Sequence, residues 1–202
     1  MQTLQAAIWA LATLLATAFS APVLLAQVCP GDTLTSQAEV DAFNCDTVTG
    51  DLVITGPDIT TLSNLSSLSS VDGVLQVVNN PALLDVGGLL SLIKAGGLVV
   101  MNNPLLTDID GLSSLGSVAG VLDVSANHAL TNVDGLSALS SVGGSLYISS
   151  TQALADVNGL SSLVTVGGSL NLVGNALLTN VDGLSSLTTI GIGELDLSFG
   201  IR

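Results

Sequence analysis

The side chains best suited to chemistry in this sequence are carboxylates that recur in two columns, two positions apart. One column has Asp or Asn at nearly constant intervals along the chain: Asp85, Asp108, Asn132, Asp156 and Asn180. The other contains Asp110, Asp134, Asn158 and Asp182. Carboxylate oxygens are the ligands that Ca²⁺ prefers, which makes Asp108, Asp110 and Asp134 a candidate calcium site. The usual nonapeptide calcium-binding repeat is absent, so we favour turn capping as the role of both columns, with Asn diluting the repulsion between stacked carboxylates.

Acid–base and nucleophilic catalysis have little support. His128 is the one histidine, and it stands where the neighbouring repeats carry Pro104 or Gln152. The serines recur with the repeat, as at Ser113 and Ser137, whereas an activated nucleophile is a singular residue. A solenoid polysaccharide lyase would need clustered cations, which this sequence almost lacks. We therefore expect no enzymatic activity and no cofactor apart from the candidate calcium.

A repeat of roughly 24 residues, within the size range of stacked solenoid units, must position all of these side chains. One leucine marks it once in each unit, with a spacing that varies by no more than a single position: Leu65, Leu89, Leu112, Leu136, Leu160 and Leu184. A fixed period of this size indicates units that bury their apolar faces against one another. Each unit opens with an alternating segment such as Leu122-x-Val124, which is typical of a strand with one buried face. The sequence predicts a mainly β protein, a parallel β-solenoid over residues 50–202 whose last coil is truncated.

Two polar corners complete the predicted coil. Asn or Thr follows each strand, and an inward Asn can hydrogen-bond the backbone of adjacent coils and form a ladder. These residues are Asn80, Asn103, Asn127, Thr151 and Asn175. The Asp-Gly pairs, such as Asp134-Gly135, are predicted to make the next corner, where Gly tolerates positive φ.

The outward positions of the first strand are the candidate binding face. In the early coils they are aliphatic, and an apolar patch that gives way to a polar surface often marks an interaction site. The residues concerned are Val74, Val78, Val99, Met101, Val121 and, as an aromatic contact, Tyr147. The competing interpretation is β-propensity alone, because Val suits any strand.

The net charge of −14 limits the partners. Lys94 and Arg202 are the two cationic side chains, and binding to nucleic acid depends on Lys and Arg. The charge therefore excludes nucleic acid as a partner and disfavours anionic membranes. Solubility of an apolar repeat protein explains the acidity adequately.

The N-terminal segment indicates export. Residues 6–26 are apolar or small, which favours a cleaved signal peptide over residues 1–26, with a retained membrane anchor as the alternative. Two cysteines in an exported chain, Cys29 and Cys45, predict one disulfide. Ser36 and Glu39 form a capping box, so residues 27–49 are predicted to be a disulfide-linked cap with a short helix.

Taken together, these features make the sequence resemble the receptor L-domain family. The resemblance rests on the N-terminal module together with the leucine-rich coils, over about residues 28–200. The matching residues are Cys29, Ser36-Gln37-Ala38-Glu39-Val40-Asp41, Cys45 and Gly50-Asp51-Leu52. That family includes the ligand-binding lobes of insulin- and growth-factor-type receptors and fungal GPI-anchored cell-wall proteins. It implies a right-handed β-helix with a disulfide-tied cap, located outside the cell.

The family's C-terminal closing elements and a GPI-type tail have no counterpart here. The repeat stops within a new coil at residues 195–202, which favours a fragment of a longer protein. An open coil edge of this kind also predicts self-association through that edge.

Two functional hypotheses follow. The first is a non-enzymatic, secreted or cell-surface protein for recognition of a protein or glycan, adhesion or envelope structure. The alternative is an ice- or mineral-binding solenoid, motivated by the regular Thr107, Thr131 and Thr179, although Ala155 breaks the row. Asn64-Leu65-Ser66 is also a glycosylation sequon, relevant in a host that glycosylates secreted proteins.

Overall fold

The structure is a computed structural model that describes residues 26–198. The described chain is mainly β and forms one parallel sheet of fourteen strands, wound as a solenoid. This confirms the predicted fold class. The strands are β1 (Val28–Cys29), β2 (Asp32–Leu34), β3 (Thr47–Val48), β4 (Leu52–Ile54), β5 (Ser70–Val78), β6 (Lys94–Met101), β7 (Ser117–Val118), β8 (Leu122–Asp123), β9 (Ser141–Val142), β10 (Leu146–Tyr147), β11 (Thr165–Val166), β12 (Leu170–Asn171), β13 (Thr189–Ile190) and β14 (Leu195–Asp196).

Each coil contributes two extended segments to the sheet. In β5 and β6 they are continuous, whereas in later coils a bend divides them into two short strands. The register places equivalent residues of successive coils side by side, so identical leucines form a file: Leu52, Leu75, Leu98, Leu122, Leu146 and Leu170. All six are fully buried. Removing a leucine side chain from water contributes roughly 2 kcal/mol, so such files supply most of the driving force for stacking.

The side of the coil opposite the sheet differs from the prediction. Where the sequence predicted a tight Asp-Gly corner, each coil has a single turn of 3₁₀ helix. These helices are η1 (Ser63–Leu65), η2 (Gly87–Leu89), η3 (Asp110–Leu112), η4 (Asp134–Leu136), η5 (Asn158–Leu160) and η6 (Asp182–Leu184). Neighbouring 3₁₀ helices contact each other along the solenoid.

The expectation of positive φ at the Asp-Gly glycines was wrong. Left-handed φ values occur instead just before the buried Asn column, at Asn79, Asn102, Ala126, Ser150 and Gly174. The Asp-Gly glycines are needed for a different reason, namely close approach between coils. A Cβ on Gly135 would overlap the carbonyl oxygen of Ile109 in the preceding coil, and Gly111 and Gly159 are equally confined.

The predicted asparagine ladder is present and fully buried. The side-chain amide of Asn103 donates to the carbonyl of Val77 at 2.9 Å, and its Oδ1 accepts from the backbone N–H of Asn80 at 3.1 Å. The amide of Asn127 repeats this bond one coil later, to Val100 O at 2.8 Å. The ladder satisfies backbone groups that the inward corner would otherwise leave without partners.

Thr151 interrupts that ladder. Its hydroxyl donates to the carbonyls of Val124 at 3.5 Å and Ser149 at 3.4 Å, but it carries no amide oxygen for the N–H of Asn127. The ladder resumes where the N–H of Thr151 donates to Asn175 Oδ1 at 2.9 Å.

The N-terminal segment is more than a helical cap. β1 and β2 pair with β3 and β4, so residues 28–34 extend the same sheet by a further partial coil. Helix α1 (Gln37–Ala42) packs on η1, and Val40 on its inner face is fully buried. Ser36 Oγ caps α1 by accepting from Glu39 N at 3.4 Å, as predicted. The Glu39 carboxylate bonds Thr35 N at 2.6 Å, one position before the N-cap.

The predicted disulfide joins Cys29 to Cys45, with their Cα atoms 5.9 Å apart. It ties β1 to the chain that leaves α1. Apart from Ala26, the predicted signal peptide or anchor at residues 1–26 lies outside the described residues. Between residues 26 and 198 there is no helix long and apolar enough to cross a bilayer.

Burial decreases in the last described coil. Leu184, Leu187 and Ile190 are only partly buried, although their counterparts one coil earlier, Leu160, Leu163 and Val166, are fully buried. The predicted self-association would cover these side chains, and it stays a prediction.

The close approach at Gly135 predicts a large stability loss for Gly135→Ala. The added methyl group must push two coils apart, which we expect to cost about 1–3 kcal/mol in the free energy of unfolding, measured by chemical denaturation. Gly116→Ala is the matched control, because a Cβ there meets only Ile93 O, at 3.8 Å. Equal effects of the two substitutions would contradict the account.

The interrupted ladder predicts that Thr151→Asn stabilises the protein. The new amide oxygen would accept from Asn127 N–H, as in the other coils, for a gain of about 1 kcal/mol in the free energy of unfolding. Thr151→Val, which keeps the size but removes the hydroxyl, should instead reduce stability. A neutral or destabilising effect of Asn would show that this corner cannot hold the amide.

Candidate binding face

Five of the six residues predicted for the binding face lie together on the outer side of the sheet. We call Val74, Val78, Val99, Met101 and Val121 the aliphatic patch. Val78 pairs directly with Met101 across β5 and β6, and Val99 is two positions from Met101 on the same strand face. The Val74 side chain lies beside Gly97, where an added Cβ would come within 3.2 Å of Val74 Cγ2. The patch therefore extends over three neighbouring coils, with Gln76 beside Val99 and Gly97 beside Val74 in the register of the two long strands.

Its side chains are only partly exposed. Val121 is 42% accessible, and the other four members are half-buried against their neighbours. Because the two longest strands, β5 and β6, carry most of the patch, its side chains stand on a rigid backbone. Little conformational entropy would be lost when a partner covers them.

Tyr147 is on the same face but is not part of the patch. Asp123 lies between Val99 and Tyr147 in the register of β6, β8 and β10. The file continues through Asn171 and Asp196. We call Asp123, Tyr147, Asn171 and Asp196 the polar strip. The binding face thus has a mainly aliphatic half in the earlier coils and a polar half in the later coils.

Asp123 lies half-buried on this face. Burial raises the pKa of its carboxyl above 3.8, and a hydrogen bond from the Ser125 hydroxyl opposes that rise. Ser125 Oγ lies 2.9 Å from Ser149 Oγ, so the carboxyl group ends a short chain of hydroxyls. No histidine adjoins this chain, since His128 is exposed and its Nδ1 lies 3.0 Å from Ser150 O.

One of the two acidic columns, the one that contains Asp108 and Asn132, caps the turns as predicted, whereas the other column supplies only the backbone N–H groups that are capped. Asp108 Oδ1 accepts from Asp110 N at 3.3 Å at the start of η3, and Asn132 Oδ1 accepts from Asp134 N at 3.0 Å at the start of η4. Asp85, Asp156 and Asn180 do the same in their coils. Since Asn and Asp both accept from an N–H, either residue serves this position.

The candidate calcium ligands do not form a metal-holding group. Within residues 26–198, no three His, Cys, Asp or Glu side chains are grouped closely enough to bind a metal ion. Asp108 and Asp134 nevertheless lie near Asp110. Burial first, and then the charges of Asp108 and Asp134, raise the pKa of Asp110 above 3.8.

The sequon residue Asn64 has a structural contact. It is exposed on η1, and its Nδ2 donates to the carbonyl of Asp41 at the end of α1, at 2.5 Å. Asn64 also lines a shallow cleft beside the cap, together with Gln27, Phe43, Asn44, Asp46, Ser66 and Ser67.

Gln37 connects the cap to the first full coil through hydrogen bonds that its place in the sequence does not indicate. Its Oε1 accepts from the backbone N–H of Thr60 at 2.8 Å and Thr61 at 3.2 Å, and its Nε2 donates to Asp41 Oδ1 at 2.8 Å. Gln37 therefore joins α1 to the first full coil. Because Thr60 and Thr61 are distant from Gln37 along the chain, no local pattern identifies this role.

The threonine row proposed for ice or mineral binding is exposed and in register. Backbone bonds connect its members, for example from Thr131 N to Thr107 O at 3.2 Å. The hydroxyls of Thr107 and Thr131 donate to carbonyls of the preceding coil, at 3.4 Å each. These hydroxyls are thus partly engaged by the protein, and Ala155 still interrupts the row.

Positive charge is scarce on every surface of the described chain. Between residues 26 and 198 the sole Lys or Arg is Lys94, whose Nζ lies 3.5 Å from Asp72 Oδ1 in an exposed pair. An exposed pair of this kind contributes little to stability. The binding face therefore presents acidic and neutral groups.

Comparison with known proteins gives no further guide. No protein-family model matches the chain, and neither a curated protein nor a solved structure matches it significantly.

The environment of Asp110 predicts a pH-dependent effect of Asp110→Asn. A carboxyl group whose pKa is higher in the folded state favours folding at low pH, and this contribution is lost as pH rises from 3.8 through the raised folded value. We expect Asp110→Asn to raise the melting temperature by about 1–2 °C at neutral pH and to leave it unchanged well below pH 3.8.

The reciprocal variant is Asn158→Asp, which places a carboxylate between Asp134 and Asp182. It should lower the melting temperature at neutral pH and have no effect in acid. Thermal unfolding followed by circular dichroism measures both. A shift of Asp110→Asn that is the same at both pH values would contradict the repulsion. Melting curves of the parent chain with added calcium test the metal hypothesis, for which binding predicts a higher melting temperature.

Proposed function

We propose that this chain is a non-enzymatic, extracellular binding protein with an L-domain-like solenoid, and that the aliphatic patch is its contact surface for a protein ligand. The observation that carries the proposal is the grouping of Val74, Val78, Val99, Met101 and Val121 on one rigid sheet face. Residues on the same strand positions in later coils, such as Asp123 and Asn171, are polar, whereas Gln76 is the one polar side chain among the corresponding outward positions of β5 and β6, at residues 74–78 and 97–101. β-propensity alone does not account for that difference between coils.

The location outside the cytoplasm is supported by two features. The Cys29–Cys45 disulfide indicates an oxidising compartment, where such bonds persist. The apolar residues 6–26 have the composition of an export signal. The L-domain assignment itself rests on the Cys29–Cys45 module and the leucine-rich coils.

The mechanism is display of a preformed surface. The sheet holds the patch before any ligand arrives, and the coils beneath it are packed to full burial, as at Leu75, Leu98 and Leu122. The net charge of −14 favours partners whose aliphatic contact residues are accompanied by Lys or Arg.

The proposal is tested with a displayed library of random peptides sorted on the full chain. We expect enriched peptides to combine aliphatic or aromatic residues with basic ones, and to lose binding by about tenfold or more when Val78→Lys and Met101→Lys are combined, since burial of two aliphatic groups is lost.

Val164→Lys combined with Leu177→Lys is the matched control. Both side chains are exposed aliphatics, at 41% and 58%, outside the aliphatic patch. Circular dichroism checks that each double variant is folded. Failure to enrich any peptide, or equal binding by the two double variants, would contradict the proposal.

The surface-adsorption alternative is checked by one assay. A solenoid that binds ice through Thr107, Thr131 and Thr179 must show thermal hysteresis, and filling the gap with Ala155→Thr should increase it. Freezing-point measurements on the parent chain and this variant decide the question.

A further inference from the structure

Asn158-Gly159 is the one asparagine–glycine pair in the sequence. It opens η5, at a corner where three other coils carry Asp-Gly. Asparagine before glycine is chemically labile, because glycine has no side chain to hinder attack of its backbone nitrogen on the asparagine side chain. Asn158 is exposed, whereas Gly159 is buried. The side chain that reacts is thus at the surface, and the attacking nitrogen belongs to a buried residue.

Close packing between coils requires this glycine. A Cβ at Gly159 would overlap Val133 O of the preceding coil and come within 2.7 Å of Asp134 Cα. The missing side chain therefore lets the coils approach each other, and it also leaves Asn158 beside the least hindered backbone nitrogen. The equivalent coils that carry Asp before Gly have no amide to lose at this corner. The liability belongs to the coil of Asn158.

The folded coil holds the reaction back. Deamidation begins when Gly159 N attacks Asn158 Cγ, which requires rotation of the peptide plane between the two residues. Hydrogen bonds hold the backbone on both sides of Asn158. Its N–H donates to Asp156 Oδ1 at 2.9 Å, and its carbonyl oxygen accepts from Ser161 N at 3.1 Å. Rotation of the plane breaks η5, so the reaction requires that this coil opens first.

We propose that Asn158 is a deamidation site whose rate is set by opening of its coil, and that the reaction loosens the solenoid there irreversibly. A bond forms between Gly159 N and Asn158 Cγ, the Cγ–Nδ2 bond breaks, and the side-chain nitrogen leaves as ammonia with the proton that Gly159 N gives up. Water then opens the succinimide ring. Addition of water at Cγ gives aspartate, and addition at the backbone carbonyl carbon gives isoaspartate. Water is the only co-reactant.

Both products weaken the stack. Aspartate at position 158 places a carboxylate between Asp134 and Asp182, which begin the neighbouring 3₁₀ helices, and stacked like charges repel. Isoaspartate routes the main chain through Cγ and adds one carbon to the backbone. The added carbon displaces Gly159 from the only position that Val133 O leaves free. Because η5 contacts both η4 and η6, the loss affects the junctions on both sides.

Mass spectrometry of the full chain, kept in mildly alkaline buffer and then digested, measures the reaction. Exchange of an amide for a carboxyl group changes the mass of the peptide that contains position 158, whereas isomerisation at Asp-Gly pairs does not. We expect the folded chain to deamidate at least about tenfold more slowly than the same chain unfolded in guanidinium chloride, since only the open molecules react.

Asp156→Ala tests whether the fold sets the rate. It removes the acceptor for Asn158 N–H and should speed deamidation of the folded chain about fivefold, as expected for the loss of one capping hydrogen bond. Asp108→Ala is the matched control, because it removes the same charge and an equivalent bond, to Asp110 N, two coils away. It should leave the rate unchanged. Circular dichroism checks that both variants are folded, and in guanidinium chloride all three chains should react at one rate.

The loosening is measured on the deamidated chain, separated from the parent by anion exchange. Its melting temperature should lie about 2–4 °C below that of the fresh chain. Asn158→Gln is the control for ageing, because its longer side chain closes a ring far more slowly. That variant should keep its melting temperature over the same period.

Three results would overturn the inference. These are equal rates in the folded and unfolded chain, equal rates in the two folded alanine variants, or a deamidated chain that melts at the temperature of the fresh one. The first two would show chemistry of the dipeptide alone, and the third would show that the stack accepts the products.

Discussion

The distance between neighbouring coils is the constraint on which this structure depends. Backbone hydrogen bonds fix that distance along the sheet, and the rest of each coil must then accept it. On the side of the 3₁₀ helices, the backbones come so close that only glycine fits, as at Gly111, Gly135 and Gly159. At the inner corner, the same distance lets the amide of Asn103 reach Asn127 Oδ1 at 3.3 Å and Val77 O at 2.9 Å. Glycine and asparagine therefore recur for one geometrical reason.

The repeat makes much of this fold predictable from the sequence. Leucine spacing is enough to show which side chains stack, because residues with the same place in the period must meet when coils superpose. The buried Asn column, the Ser36 cap and the Cys29–Cys45 bridge likewise follow from residue type and position. These features are local or strictly periodic, so a single sequence contains the information that specifies them.

Features that depend on contacts between coils were harder to predict. The role of Gly135 is a clash with Ile109 O in another coil, whereas a local interpretation assigned it a φ preference. Gln37 acts through Thr60 and Thr61, which are distant along the chain. Tyr147 was grouped with the aliphatic residues because both are outward, but Asp123 intervenes once the coils are in register. The sequence thus indicated that the face changes from apolar to polar, and the register shows on which side of that change Tyr147 lies.

The interruption of the asparagine ladder at Thr151 shows how a stacked repeat tolerates an exception. In a solenoid each coil is supported only by its two neighbours, so a bond lost between two coils has to be replaced between the same two coils. Hydroxyl groups do this between the coil of Asn127 and the coil of Thr151: Thr151 Oγ1 donates to Val124 O at 3.5 Å, and Ser125 Oγ lies 2.9 Å from Ser149 Oγ. The serine pair and the threonine are therefore one joint departure from the repeat, and a change at either of them alters how firmly this coil holds its neighbour.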